Sequence, residues 1–365
     1  MEILHSTPGK DGFRMPGEFE EHAKTWMMWP ERQDNWRKGA GPAQQAFIDV
    51  AVAIRRFEKL VMGVSRSQYS NAKRSLPADI NVVEIENNDA WIRDTGPTFV
   101  VNDKKEVRAV DWKFNAWGGH VNGLYTSWER DDRVAQRVCE LENISRYRTE
   151  DLVLEGGSIH ADGEGTCIVT EACLLNKGRN PHLSKKDIEI KLKEYLNVKK
   201  IIWLKNGIYL DETNGHVDNI IHYCAPGVIA LAWTDDRDDP QYAFSKDAYE
   251  VLSNTKDAQG RKFDIHKFHI PRPVPITKEE SRGVVPADGT LSRNEGDRLA
   301  ASYTNFYIVN GGVIYPTFND PDHDNQARET LERIFPDRKI IGIYAREILL
   351  GGGNIHCITQ QQPKV

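Results

Sequence analysis

Apolar residues recur along the chain in two rhythms. Phe47, Val50, Ala51, Ile54 and Phe57 return at spacings of three and four, the period of a helix with one buried face. Val134, Val138 and Leu141 repeat that rhythm, as do Ile188, Leu192, Tyr195 and Leu196. Between these stretches, runs rich in β-branched and aromatic residues predict strands. They are Thr98–Val101 with Val107–Trp112, Thr166–Cys173, Asn219–Cys224 with Val228–Trp233, and Asn305–Asn310 with Val313–Phe318. Asn102-Asp103, Pro226-Gly227 and Asn310-Gly311-Gly312 mark hairpin turns. Met1–Met15 reads as irregular, and the acidic, Pro-rich Thr234–Val285 as helix plus extended loops.

Polar motifs punctuate this pattern at intervals. Asp94, Glu155 and His216 follow one another at equal steps, with later steps to Tyr303 and Gly353 less regular. A polar motif opens a strand, a second strand turns back, and a helix follows, which predicts a repeated ββα-type unit. Repeats packed around an axis would bring the opening motifs together at one mouth. No low-complexity linker interrupts the chain, so one domain spanning 1–365 is expected.

Composition narrows the picture only slightly. With 39% hydrophobic residues in 365, a large core is available. The net charge of −6, without a basic stripe, argues against a nucleic-acid partner. No apolar run is long enough to span a membrane, and the first residues lack a secretory layout, so a cytoplasmic protein is expected. Five cysteines without a C-x-x-C pair predict neither a disulfide framework nor a zinc ribbon. The sequence leaves homo-oligomer formation open.

Four motifs carry candidate chemistry. In NNDAWIRDTGP, Asn87–Pro97, the carboxylates lie near Trp91, a pairing suited to a flat cation held by charge-assisted hydrogen bonds with a ring against one face. An Arg93–Asp pair before a turn would explain that motif equally well. In LEGGSIH, Leu154–His160, Glu155 precedes two glycines that let backbone approach closely. His160, Asp162 and Glu164 read as hairpin residues. In DETNGHVDN, Asp211–Asn219, His216 and Asp218 would share one face of a strand, with Glu212 four residues before the histidine. In GGGNIHCITQQ, Gly351–Gln361, Cys357 follows bare backbone and sits among polar groups. The other four cysteines read as inert buried residues, and the Asp235–Asp239 run as a solvated loop rather than a calcium site.

Together with FRMPGEFE, TWMMWPER and FNAWGGH, these strings resemble the agmatine deiminase family over nearly the whole chain. The resemblance implies an α/β fold, a five-bladed propeller of ββαβ-type units about a pseudo-fivefold axis. It implies hydrolysis of agmatine to N-carbamoylputrescine and ammonia, with no metal and no cofactor. By motif position Cys357 matches the nucleophile, His216 the acid/base and Glu155 the carboxylate holding the histidine. Asp94 and Asp218 match the guanidinium-binding pair, and Glu212 is the expected partner of the substrate's amine.

A guanidinium is a poor electrophile, and two carboxylates can hold it flat while a thiolate attacks its carbon. A free thiol near pKa ~8.5 supplies little thiolate. A cation ~4 Å away contributes about 4 kcal/mol at an effective dielectric of ~20, or about three pKa units, so the substrate could generate its own nucleophile. Rival readings are a guanidine hydrolase acting on arginine or a substituted arginine, a metallohydrolase using Glu155, His216 and Asp218, and a polyamine sensor with an inactivated site.

Overall fold

The computed structural model describes residues 2–365. Five small sheets and the helices between them form a mixed α/β structure. In the first sheet β1 (His22–Met28) runs parallel to β2 (Leu60–Val64), and β2 parallel to β3 (Asn81–Glu84). Three sheets then repeat one plan, an antiparallel hairpin followed by a parallel strand. They are β4 (Thr98–Val101), β5 (Val107–Lys113) and β6 (Arg146–Val153); β7 (His160–Ala161), β8 (Thr166–Thr170) and β9 (Lys200–Leu204); and β10 (Ile221–Ala225), β11 (Val228–Trp233) and β12 (Asp264–His269). The fourth repeat is β13 (Tyr307–Val309), β14 (Gly312–Thr317) and β15 (Lys339–Tyr344). The last strand, β16 (Gln360–Pro363), returns to pair antiparallel with β1.

Each parallel step needs a crossover, and a helix supplies it. Helix Gly41–Ile54 precedes β2, Val134–Glu142 precedes β6, Lys185–Leu196 precedes β9, Gln241–Ser253 precedes β12 and Pro321–Ile334 precedes β15. Their buried faces follow the expected stripes: Phe47, Val50, Ala51 and Ile54; Val134 and Val138; Ile188, Leu192 and Leu196. Fully burying such side chains is worth about 1.5–3 kcal/mol each. Ser184 and Asp187 form a capping box at the start of Lys185–Leu196, a feature worth about 1 kcal/mol. Asn143 and Asn197 stop two helices with φ of 54° and 53°, a left-handed turn that asparagine tolerates. Phe57 lies past its helix and Leu141 is exposed, so these two stripes end earlier than their periodicity suggests.

Three expectations need correction. Thr166–Cys173 is not one strand: Thr170 caps a short helix, Glu171–Leu174, with its hydroxyl accepting from Cys173 N–H at 3.3 Å. Thr234–Val285 contains a strand, β12, which borrows its partners from β11. His216 and Asp218 do not sit on a strand, because Val217–Asn219 is a 3-10 turn.

The hydrophobic core divides into three clusters around neighbouring sheets. Between them lies a polar interior in which Glu18, Arg93, Asp94, Glu155, His216, Asp218 and His356 are all buried. Among the described residues no helix is long and apolar enough to cross a membrane.

Candidate active site

Four of the five sheets begin with a short turn or helix that carries a polar motif. Ile92–Thr95 leads into β4, Gly156–Ser158 into β7, Val217–Asn219 into β10 and His356–Ile358 into β16. These turns converge. Bare Gly157 marks the centre: a Cβ there would stand 2.6 Å from His216 Nδ1, 2.9 Å from Asp94 Oδ1 and 3.0 Å from Asp218 Oδ2. Cys357 Sγ lies 4.0 Å from Asp218 Oδ2 and 3.5 Å from Asn305 Oδ1. The thiol therefore faces acids and an amide, and it is 5% exposed.

Each predicted side chain has a mechanical support. Asp94 Oδ1 accepts from Gly157 N–H and Oδ2 from Trp117 Nε1–H, both at 2.8 Å. Glu155 Oε2 stands 3.5 Å from His216 Nε2, while its Oε1 accepts from Arg179 at 3.0 Å. Both partners of the Arg179 pair are fully buried, so removing one would cost about 3–5 kcal/mol. Asp211 organises the histidine's loop by accepting from His216 N–H at 2.9 Å and from Thr213 Oγ1–H at 2.8 Å. Against this ordered background, both ring nitrogens of His216 and Oδ1 of Asp218 are buried without a hydrogen-bond partner. Buried polar atoms of that kind are costly unless a ligand satisfies them.

The charges are uneven. Burial pushes the Asp94 carboxyl up, His216 opposes and Asp218 adds to the rise, leaving it at about 6. Burial also disfavours the Glu155 anion, but Arg179 and His216 overcome this and hold it at about 2. Burial would lower His216, yet Asp94, Cys173 and Glu155 carry it well above the ordinary histidine value. Asp218 ends below the usual aspartate value because His356 outweighs burial. Burial first, then Asp218 and Asp94, push the Cys357 thiol well above its ordinary range. With no cation between these acids, Cys357 is a neutral thiol.

Two predicted residues behave differently. Trp91 donates to Asp89 at 2.8 Å and stacks on Trp36 at 5.2 Å between centroids. Its ring also lies against the bare Cα of Gly353, beside the Cys357 Cβ. One face is therefore taken by Trp36, and Trp91 forms wall rather than an open stacking platform. Glu212 gives both oxygens to Arg293, at 2.7 and 2.6 Å, instead of leaving them free for an amine. Arg293 also donates to Asn35 Oδ1 at 2.6 Å and to the Gly351 carbonyl at 2.8 Å, tying its loop over the Gly351–Gly353 turn.

Sequence reasoning missed Arg179, Asn305, Asp211, Glu18 and His356 as parts of this arrangement. It also set Cys173 aside as inert, whereas the Cys173 thiol lies 3.9 Å from Glu155 Oε2. Among the described residues two groupings have donor atoms close enough for a metal, Glu155–Cys173–His216 and His160–His222–His356. In the first, Glu155 is already neutralised by Arg179. In the second, both His356 nitrogens already lie against carboxylates, at 2.7 and 2.8 Å. Neither donor set fits a resident metal.

Comparison with known proteins adds four findings. The profile of the Porphyromonas-type peptidyl-arginine deiminase family matches residues 14–363. A Listeria monocytogenes protein (serotype 4b, strain F2365) with a provisional agmatine deiminase name is 63% identical over 364 residues, covering 100% of both chains. The agmatine deiminase of Pseudomonas aeruginosa (strain LESB58) is 58% identical over 359 residues, covering 98% of this chain and 97% of its own. Among solved structures, the agmatine deiminase of Enterococcus faecalis superposes with a TM-score of 0.97 at 52% identity, covering 100% of this chain and 99% of that one.

Proposed function

This chain belongs to the Porphyromonas-type peptidyl-arginine deiminase family and, within it, to the agmatine deiminases; from that premise we propose that it hydrolyses agmatine to N-carbamoylputrescine and ammonia through a covalent intermediate on Cys357. The observation that carries the reading is the group of unsatisfied polar atoms around Gly157. His216 and Asp218 present bare nitrogens and a bare oxygen beside a thiol. A flat cation with N–H donors along its edges meets the demand of the Asp218 oxygen, and its nitrogen, once the carbon has been attacked, accepts from the protonated His216 ring.

The steps follow from the charges. Asp94 and Asp218 hold the guanidinium, and its positive charge opposes the burial and the two acids that keep the thiol neutral. Cys357 then releases its proton to solvent and the thiolate attacks the central carbon. Protonated His216 donates to the departing nitrogen, which leaves as ammonia as the C–N bond breaks. Neutral His216 next takes a proton from water, the water adds to the thiouronium carbon, and the C–S bond breaks to free the ureido product. Glu155, anchored by Arg179, steadies the charged ring. Trp91 shapes the wall beside the thiol, and Glu212 holds Arg293.

Agmatine suits the site better than arginine. The cations nearest it, Arg93, Arg179 and Arg293, are each held by a carboxylate: Glu18, Glu155 and Glu212. None is free to receive a substrate carboxylate. Purified protein given agmatine should release ammonia and N-carbamoylputrescine, with kcat/KM for arginine lower by about 100-fold or more. Equal turnover of arginine overturns the agmatine reading.

The pH profile follows from Asp94. Cation binding needs its ionised form, so kcat/KM should fall as pH drops through about 6. A profile that stays flat well below that point contradicts the assignment. On the alkaline side the rate should fall as His216 loses its proton.

The five sheets read as blades of a pseudo-fivefold propeller. The repeated hairpin-helix-strand order supports this, as does the pairing of β16 with β1, which joins the two ends of the chain. The same pairing supports one catalytic domain over 1–365.

A further inference from the structure

Three more charged groups are buried in series with Asp218. His356 Nδ1 stands 2.7 Å from Asp218 Oδ2, and His356 Nε2 stands 2.8 Å from Glu18 Oε2. Glu18 is in turn fixed by Arg93 at 3.1 Å, by the Ile308 N–H at 2.9 Å and by His222 at 3.3 Å. The backbone of His356 is held as well. Its N–H donates to Asn305 Oδ1 at 3.0 Å, and its carbonyl accepts from Arg93 Nε–H at 3.2 Å.

A neutral imidazole has one N–H and one lone pair. Here both nitrogens meet carboxylate oxygens, so a neutral ring would aim a lone pair at an anion. The doubly protonated ring satisfies both. Arg93, Glu18, His356 and Asp218 then alternate in sign across the interior. The other rings facing His356 are His160, stacked at 5.7 Å, and His222, at 5.2 Å. Burial holds both below the ordinary histidine value, so they add no competing charge.

We propose that His356, backed by Glu18, is a positioning residue that keeps Asp218 ionised and fixes its carboxylate beside Gly157 and Cys357, with Oδ1 left without another partner. This deepens the reading of Asp218 as a guanidinium-binding group and rests on it. The consequence is a division of labour between two acids that touch the same cation. Asp94 lacks a cationic partner of this kind: its oxygens are held by a backbone N–H and an indole N–H, with His216 Nδ1 3.9 Å away. Asp218 is as buried as Asp94 and repelled by it, so without the imidazolium it would be a poorer anion. A protonated Asp218 would turn a donor toward the N–H edge of the substrate and repel it.

The test compares His356→Asn and Glu18→Gln in the full chain. Asn keeps a neutral donor near Asp218 but loses the charge and the contact with Glu18; Gln removes only the charge behind the ring. Agmatine affinity is read as Kd in a Cys357→Ser background, where no turnover interferes, and as KM in the active enzyme. His356→Asn should raise Kd and KM about tenfold or more, with a smaller change in kcat. The acid limb of kcat/KM should move to higher pH, because Asp218 then titrates beside Asp94. The defect should shrink as pH rises, and Glu18→Gln should show the same pattern more weakly. A folded His356→Asn protein with unchanged Kd and an unmoved acid limb overturns the proposal, even if its Tm falls. Nitrogen NMR of the unsubstituted protein needs no variant: the His356 ring should carry both protons at neutral pH, and a neutral ring overturns the proposal. If the native enzyme fails to hydrolyse any guanidinium, the proposed function falls instead, which is a separate outcome.

Discussion

Replacing Cys357 with serine should reduce agmatine turnover by on the order of 10⁴-fold or more while leaving the protein folded. The thiol makes one close polar contact, with Asn305 at 3.5 Å, and a hydroxyl of similar size can keep it. What the hydroxyl cannot do is ionise. Burial and then two acids already push the thiol well above its usual range, and a bound cation recovers only about three pKa units. A thiol comes within reach of neutrality under that influence, whereas an alcohol stays many units away. Ammonia release measured beside circular dichroism separates lost chemistry from lost folding. Retained turnover would remove Cys357 from the nucleophile's role.

Adding one methyl group at position 157 should be almost as damaging. The Gly157→Ala methyl would stand 2.6 Å from His216 Nδ1, 2.9 Å from Asp94 Oδ1 and 3.0 Å from Asp218 Oδ2. All three must shift, and they are the groups proposed to bind and protonate the substrate. Misplacement by an ångström costs about 100-fold, so kcat/KM should fall by at least that factor. Overpacking adds about 1–3 kcal/mol of destabilisation, seen as a lower Tm. The cause is steric: Gly157 is absent from the positive-φ positions, unlike Gly352 at φ of 105°. An alanine variant within a few-fold of native kcat/KM would mean that substrate does not approach this turn.

The placement of the motifs was legible because each opens a structural unit. Polar turns lead into strands at four places, and three of these turns, carrying Asp94, Gly157 and Asp218, meet at Gly157. Local geometry within the motifs was harder to read. His216 and Asp218, two apart, suggested a strand, but the Asp211 carboxylate gathers their loop and Val217–Asn219 turns instead. β12 was hidden because its residues, Asp264–His269, are mostly polar and only Phe268 is buried; pairing with β11 defines it. Glu18 and His356 are far apart in sequence and meet only in the fold, so no spacing could announce them. The pairing of Glu212 with Arg293 was hidden for a related reason. The acidity of Glu212 was visible, but the arginine that claims it lies in a distant loop.

The central claim is that sulfur bonds to the guanidinium carbon during turnover. Mass spectrometry of protein acid-quenched during agmatine hydrolysis tests it most directly. The peptide containing Cys357 should appear heavier by one agmatine less one ammonia, and the adduct should disappear in Cys357→Ser and when substrate is exhausted. Steady turnover with no adduct on that peptide under any quench condition would contradict the covalent route and point to direct attack by water.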